Sequence, residues 1–264
     1  MNNLNKKYYK IANEIAQKIS IFPTNRFVVI IGSVANQLVD KYSDIDLVVF
    51  YTKEPTKKEL ENIFNIPTAN KFWLDDTKFH IHIKIEGIDA TTLFVSQKYL
   101  EALMNKMPNL TLDDFAILSR YIGEAKLLHG DAKMFTTWGK VCNKIPKKIK
   151  NDTIHHRMSS LNFWFRQGNL INLTERSDWL MINRTLNHSI EWILTVIYLL
   201  NEKIYLNPKR AKNILENCLL KPKNIAKRLE NLYILKNTKN DIMKKNKEMV
   251  SIMDDVEKLV KKNQ

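Results

Sequence analysis

Residues 27–50 read FVVIIGSVANQLVDKYSDIDLVVF. The stretch opens with four β-branched residues, Val28, Val29, Ile30 and Ile31, which predict a buried strand. Gly32-Ser33 ends that run. A short helix is expected near residues 34–39 and a second apolar strand over residues 44–50. Side chains alternate across a strand, so Asp44 and Asp46 share a face with only Ile45 between them. Two carboxylates side by side repel each other and are costly to desolvate unless a positive charge neutralises them. A hard divalent cation with oxygen ligands is the ordinary solution, and Mg2+ is the usual choice where nucleotide phosphates complete the shell. Gly32 permits a tight turn with close backbone approach. Ser33 stands where N–H groups and a hydroxyl would face a phosphate. The parts of a nucleotide–metal site fall within fifteen residues.

Gly32-Ser33, ten intervening residues and then Asp44-Ile45-Asp46 resembles the signature of the nucleotidyltransferase superfamily, with its DNA polymerase β-like fold. The wording Tyr42-Ser43-Asp44-Ile45-Asp46 is most similar to the antibiotic-modifying (kanamycin- and streptomycin-type) and minimal bacterial branches, and the resemblance covers about the first hundred residues. It implies in-line attack by an acceptor hydroxyl on the α-phosphorus of ATP or another nucleoside triphosphate. Asp44 and Asp46 would bind Mg2+, while Gly32 and Ser33 would hold the β- and γ-phosphates. The family also implies a third acid on a later strand. In residues 88–96 (IDATTLFVS), Asp89 is the one acid. Aligning Phe94-Val95-Ser96 with the Phe-Tyr-Ser of the kanamycin-type branch puts the expected position on Thr91, and Asp89 has the same strand parity. Asp89 is therefore the expected third ligand, with Glu86 a weaker candidate before the Gly87 break. The alternative is a site with two acids that holds a metal poorly or has lost activity. The resemblance further implies a general base in the helical half, where Glu191, Glu175 and Asp178 are candidates. Lys209 and Arg210 are candidates for contact with substrate phosphates.

The rest of the chain sets bounds on these expectations. A length of 264 residues suits one large domain or two modest ones. With 44% hydrophobic residues and only 6 Gly and 7 Pro, a helix-rich globular fold is expected. The longest apolar run, residues 193–200 (ILTVIYLL), is far too short for a membrane span and reads as a buried helix. The first ten residues, MNNLNKKYYK, lack an apolar signal core, so a cytoplasmic protein without membrane partners is expected. Cys142 and Cys218 show no metal-ligand spacing and read as reduced thiols. The formal charge of +14, from 42 basic against 28 acidic residues, favours polyanionic partners. Aromatic and basic residues are not interleaved as in a base-stacking platform, so the charge permits a nucleic-acid partner without requiring one.

Along the chain, Tyr8, Ile11, Ile15 and Ile19 predict a helix over residues 3–20, and residues 54–64 predict another. Residues 79–85 (FHIHIKI) alternate strictly, and residues 88–95 form a second extended run after Gly87, so a hairpin is expected. His80, His82 and Lys84 would share its polar face, read here as solvated. Residues 161–167, 179–200, 209–219, 225–235 and 242–260 carry apolar residues at helical spacing. Residues 127–131 (LLHGD) resemble a helix end of streptomycin-type enzymes, with Gly130 as the stop, and residues 200–210 resemble a helix–turn–helix segment. The expected class is α+β: a mixed-sheet nucleotidyltransferase domain over residues 1–108, then an all-α substrate-binding domain over residues 109–264.

Three acceptors or roles follow. The first is a hydroxyl of a small molecule resembling an aminoglycoside. The second is RNA or protein, as in nucleotidyltransferase modules of toxin–antitoxin systems, which the positive charge suits. The third is a catalytically silent module that binds nucleotide or nucleic acid. A homodimer is compatible with all three.

Overall fold

The computed structural model describes residues 3–64, 72–205, 208–209, 211–233, 236 and 238–263. Helix α1 (Asn3–Ser20) buries Tyr8, Ile11, Ile15 and Ile19, the face that the spacing predicts. Strand β1 (Asn25–Ile31) is buried at every position but Arg26, as expected for a strand covered on both faces. Helix α2 (Gly32–Ala35) is only one turn long, shorter than the expected 34–39, because Gln37 takes the left-handed conformation with φ 58°. The chain then turns on Asp40, whose carboxylate accepts from the Tyr42 N–H and the Ser43 hydroxyl, and enters β2 (Ile45–Tyr51). Helix α3 (Lys57–Phe64) starts later than expected, at a box in which Thr56 and Glu59 bond each other's N–H groups.

Strands β3 (Phe72–Asp75), β4 (Lys78–Ile85) and β5 (Ile88–Ser96) follow. The β4–β5 hairpin forms as expected. It turns on Glu86 and Gly87, both at positive φ (49° and 78°), the two-residue geometry that matches strand twist. That turn fixes the register, pairing Lys84 with Asp89 and His82 with Thr91. The sheet runs β3-β4-β5-β2-β1-β6, with β2 and β5 parallel and the other pairs antiparallel. One face carries Val28, Ile30, Ile45, Leu47, Val49, Phe79, Ile81 and Phe94 and packs with α1 and α3.

The other face is covered by residues beyond the strands. Helices α4 (Gln97–Asn105) and α5 (Leu112–Leu118) lead through a π-helical turn (Ser119–Gly123) to β6 (Lys126–His129) and α6 (Ala132–Cys142). Phe135 and Trp138 of α6 meet Phe27 and Phe50, with ring centroids 5.3–6.5 Å apart. Strand β6 lies where a helix end was expected, and pairs with β1. Gly130 follows it at φ 123°, so tight against β1 that a Cβ would sit 2.6 Å from the Arg26 carbonyl oxygen. The chain divides into compact units at Ile145–Pro146 rather than at 108, because β6 returns to the sheet after the first helices.

The second unit, residues 146–264, contains α7 (Lys147–Leu161), a π-helical turn (Asn162–Arg166), α8 (Asn169–Glu175), α9 (Trp179–Leu200), α10 (Ala211–Glu216), α11 (Ile225–Tyr233) and α12 (Lys239–Asn263). The fold is thus α+β, a mixed six-stranded sheet followed by a helical region. Asp178 caps α9 by accepting from the Met181 N–H, and Ile182, Leu186, Ile190, Ile193 and Ile197 line its buried face. Arg228 joins α11 to Glu248 and Asp255 of α12, and Arg166 reaches Asp254 and Glu257. Cys142 and Cys218 are free and buried, one in each unit, and burial pushes the Cys142 thiol up to about 11. Among the described residues no helix is long and apolar enough to cross a membrane.

Candidate active site

The end of β1 and the start of β2 define the site. Antiparallel pairing puts Ile31 opposite Asp46, so the Gly32-Ser33 turn leaves β1 beside the second aspartate. Asp44 and Asp46 flank the fully buried Ile45, and both are half-buried. The approach at Gly32 is close: a Cβ there would lie 2.9 Å from Asp46 Oδ2, and Gly32 has φ 69°. Glycine is required on both counts, for the left-handed backbone and for the space that the carboxylate uses. Ser33 Oγ is buried and makes no hydrogen bond among the described residues. An orphaned hydroxyl of this kind is costly unless a ligand satisfies it. A turn that brings an aspartate oxygen and an unsatisfied hydroxyl together fits a phosphate and the oxygen-seeking cation that accompanies it.

Parallel pairing of β2 with β5 places Thr91 beside Asp46. Thr91 Oγ1 lies 2.8 Å from His82 Nδ1, the partner that the hairpin register supplies. Asp89 is one step further along the same face. Its Oδ1 is 3.5 Å from Lys84 Nζ, and its side chain is 75% exposed, so it is neutralised from β4. Glu86 lies in the turn and pairs with Lys7 at 3.1 Å. Among the described residues no three His, Cys, Asp or Glu side chains gather as a metal cage. The sequence reading missed Lys84 as the partner of Asp89 and His82 as that of Thr91. Both follow from a two-residue turn at Glu86-Gly87, and counting outward from it gives both pairs.

The nucleotidyltransferase domain family model matches residues 9–96, a span that holds the Gly-Ser turn, both aspartates and all of β5. This segment is a nucleotidyltransferase domain. The chain is similar to a nucleotidyltransferase-like protein from Exiguobacterium sibiricum 255-15, at 12% identity and a TM-score of 0.46, over 93% of this chain and 76% of that one. It is also similar to spectinomycin adenyltransferase AAD(9) from Enterococcus faecialis, solved with ATP and spectinomycin, at 12% identity and a TM-score of 0.38, over 92% of this chain and 98% of that one. No curated protein sequence matches the chain significantly.

The first unit also carries a polar cluster that joins β3 and β4, inside the matched segment, to α4 and the π-helical turn beyond it. Lys78 Nζ is 3.0 Å from Asp75 and 4.9 Å from the Tyr99 ring centroid, which raises the lysine's pKa against its burial. Burial also raises the Tyr121 hydroxyl and the Glu124 carboxyl above their usual ranges, with Arg120 opposing both. On β4 the rings of His80 and His82 are 4.5 Å apart, and burial followed by the His82 charge lowers His80.

The remaining candidates belong to the second unit. Glu191 is half-buried on α9. Its charge adds to burial in raising Tyr205 and Tyr233. Tyr205 stacks edge-on with Tyr198 at 5.7 Å, and neither hydroxyl has a hydrogen-bond partner among the described residues. Glu175 pairs with Lys239 at 2.6 Å, and Asp178 caps α9. Lys209 is exposed, and Arg210 lies outside the described residues. Asn201 ends α9 and ties it to the segment before α11 by accepting from the Leu219 and Leu220 N–H groups.

Proposed function

We propose that this nucleotidyltransferase moves a nucleoside monophosphate from ATP, or another triphosphate, onto a hydroxyl of a small molecule resembling an aminoglycoside. The observation that carries the reading is the Gly32 turn, with Asp46 Oδ2 in the space of its missing Cβ and Ser33 Oγ buried without a partner. Asp44 and Asp46 are the proposed holders of a Mg2+ ion, which when bound neutralises charge on the triphosphate. The Ser33 hydroxyl donates to a phosphate oxygen, and Gly32 admits the backbone close to it. The acceptor oxygen forms its bond to the α-phosphorus as the bond to pyrophosphate breaks in line. Glu191 is the proposed base for the acceptor proton, and Lys209 a proposed phosphate contact. The helical unit is the proposed acceptor-binding part. Cytoplasmic location and a homodimer remain part of the proposal.

A second acceptor class, RNA or protein, is favoured by the formal charge of +14. The test uses triphosphates labelled at the α-phosphate, with Mg2+ and panels of aminoglycosides, RNA and proteins. Label on a small molecule with release of pyrophosphate supports the first acceptor, and label on a macromolecule supports the second. No labelled product from any panel, with intact nucleotide binding, would overturn both in favour of a silent binding module.

A further inference from the structure

Three strands bring Asp46, Thr91 and His82 into one row. Asp46 pairs with Thr91 across the parallel β2–β5 junction, and Thr91 pairs with His82 across the antiparallel β5–β4 junction. Residues paired in register project from the same face, with strands about 4.8 Å apart. The next row holds Lys84 and Asp89, joined by their ion pair. A divalent cation reaching for Asp89 would sit beside an ammonium group, and like charges repel. Beside Asp46, by contrast, stands a half-buried hydroxyl whose hydrogen-bond partner lies on its far side.

We propose that Thr91, oriented by His82, supplies the third protein oxygen to a divalent cation held by Asp44 and Asp46, an inference that rests on the function proposed above. A threonine hydroxyl has one proton and two lone pairs. With the proton donated to His82 Nδ1 at 2.8 Å, the lone pairs are left for the Asp46 side. A neutral hydroxyl is an established ligand type for Mg2+ in phosphoryl-transfer sites. The site so built has two carboxylates and one hydroxyl. It therefore binds a bare cation less tightly than a three-carboxylate site does and leans on the triphosphate to complete the shell.

The experiment is a Mn2+ titration of the full-length chain without nucleotide, read by loss of the free-ion spin resonance signal, with a thermal melt of each variant to establish folding. Thr91→Val keeps the shape and removes the oxygen, and should weaken Mn2+ binding on the order of tenfold, as losses around metal ligands typically do. Thr91→Asp should tighten binding beyond wild type. His82→Phe should weaken it, whereas His82→Asn, whose amide oxygen accepts the same proton, should retain it. Asp89→Asn should leave it unchanged. The inference is overturned if Thr91→Val and Thr91→Asp both bind as wild type does, or if Asp89→Asn weakens binding instead. Equal losses in His82→Asn and His82→Phe would overturn the orienting role of His82. Asp46→Asn separates the two layers: unchanged Mn2+ binding there defeats the proposed function itself, while lost binding with insensitive Thr91 variants defeats this inference alone.

Discussion

Replacing Gly32 by alanine imposes two costs that can be measured apart. The backbone at φ 69° must be held by a residue with a Cβ, which costs roughly 1–2 kcal/mol. For a chain of this size that corresponds to a fall in Tm of about 2–8 °C. The second cost falls on the site. The new Cβ would lie 2.9 Å from Asp46 Oδ2, and ordinary contact begins at 3.4 Å, so the carboxylate must retreat by at least 0.5 Å. Since a 1 Å misplacement costs on the order of a hundredfold in rate, kcat/KM should fall about 10- to 100-fold. Gly87→Ala is the matched control. Its φ of 78° carries the same backbone cost, but no atom lies within 4 Å of the added Cβ. Melting curves should show similar losses for the two variants, while turnover with a labelled triphosphate should fall only in Gly32→Ala. Equal turnover in the two variants would refute the claim that the turn exists to seat Asp46.

Asp46→Asn should abolish nucleotidyl transfer while thermal stability stays equal or rises slightly, because it relieves repulsion with Asp44. Loss of folding in that variant would mark Asp46 as structural. Gly130→Ala should cost more stability than Gly87→Ala, since its Cβ would lie 2.6 Å from both the Arg26 carbonyl oxygen and the Phe27 ring; an equal melting temperature would contradict the tight β6–β1 junction.

The parts of this fold that sequence made legible are those where side-chain period and local chemistry agree. Helices α1 and α9 have one wide apolar face and clear ends, and β1, β2 and the β4–β5 hairpin carry strong apolar runs or strict alternation. Strand β6 was hidden because Lys126–His129 is four residues long, has no buried position and gains its pairing only from β1. That the first compact unit runs on to Ile145 is hidden for the same reason, since nothing local in residues 109–145 says that β6 joins the sheet. The one-turn length of α2 depends on the positive φ of Gln37, a conformation that propensity does not forecast for glutamine. At the site, the Gly-Ser turn beside Asp46 was readable from spacing. The parity of Asp89 was right too. What parity does not contain is the neighbour across the strand, and it is Lys84 that claims Asp89 and His82 that claims Thr91.

The most direct test of the central claim is calorimetric titration of the chain with α,β-methylene-ATP, an analogue that cannot release pyrophosphate, with and without Mg2+. Binding that requires Mg2+, weakens in Ser33→Ala and disappears in Asp46→Asn is the predicted result. Binding that is indifferent to Mg2+, or that persists unchanged in Asp46→Asn, would contradict a metal–triphosphate site at the Gly32-Ser33 turn.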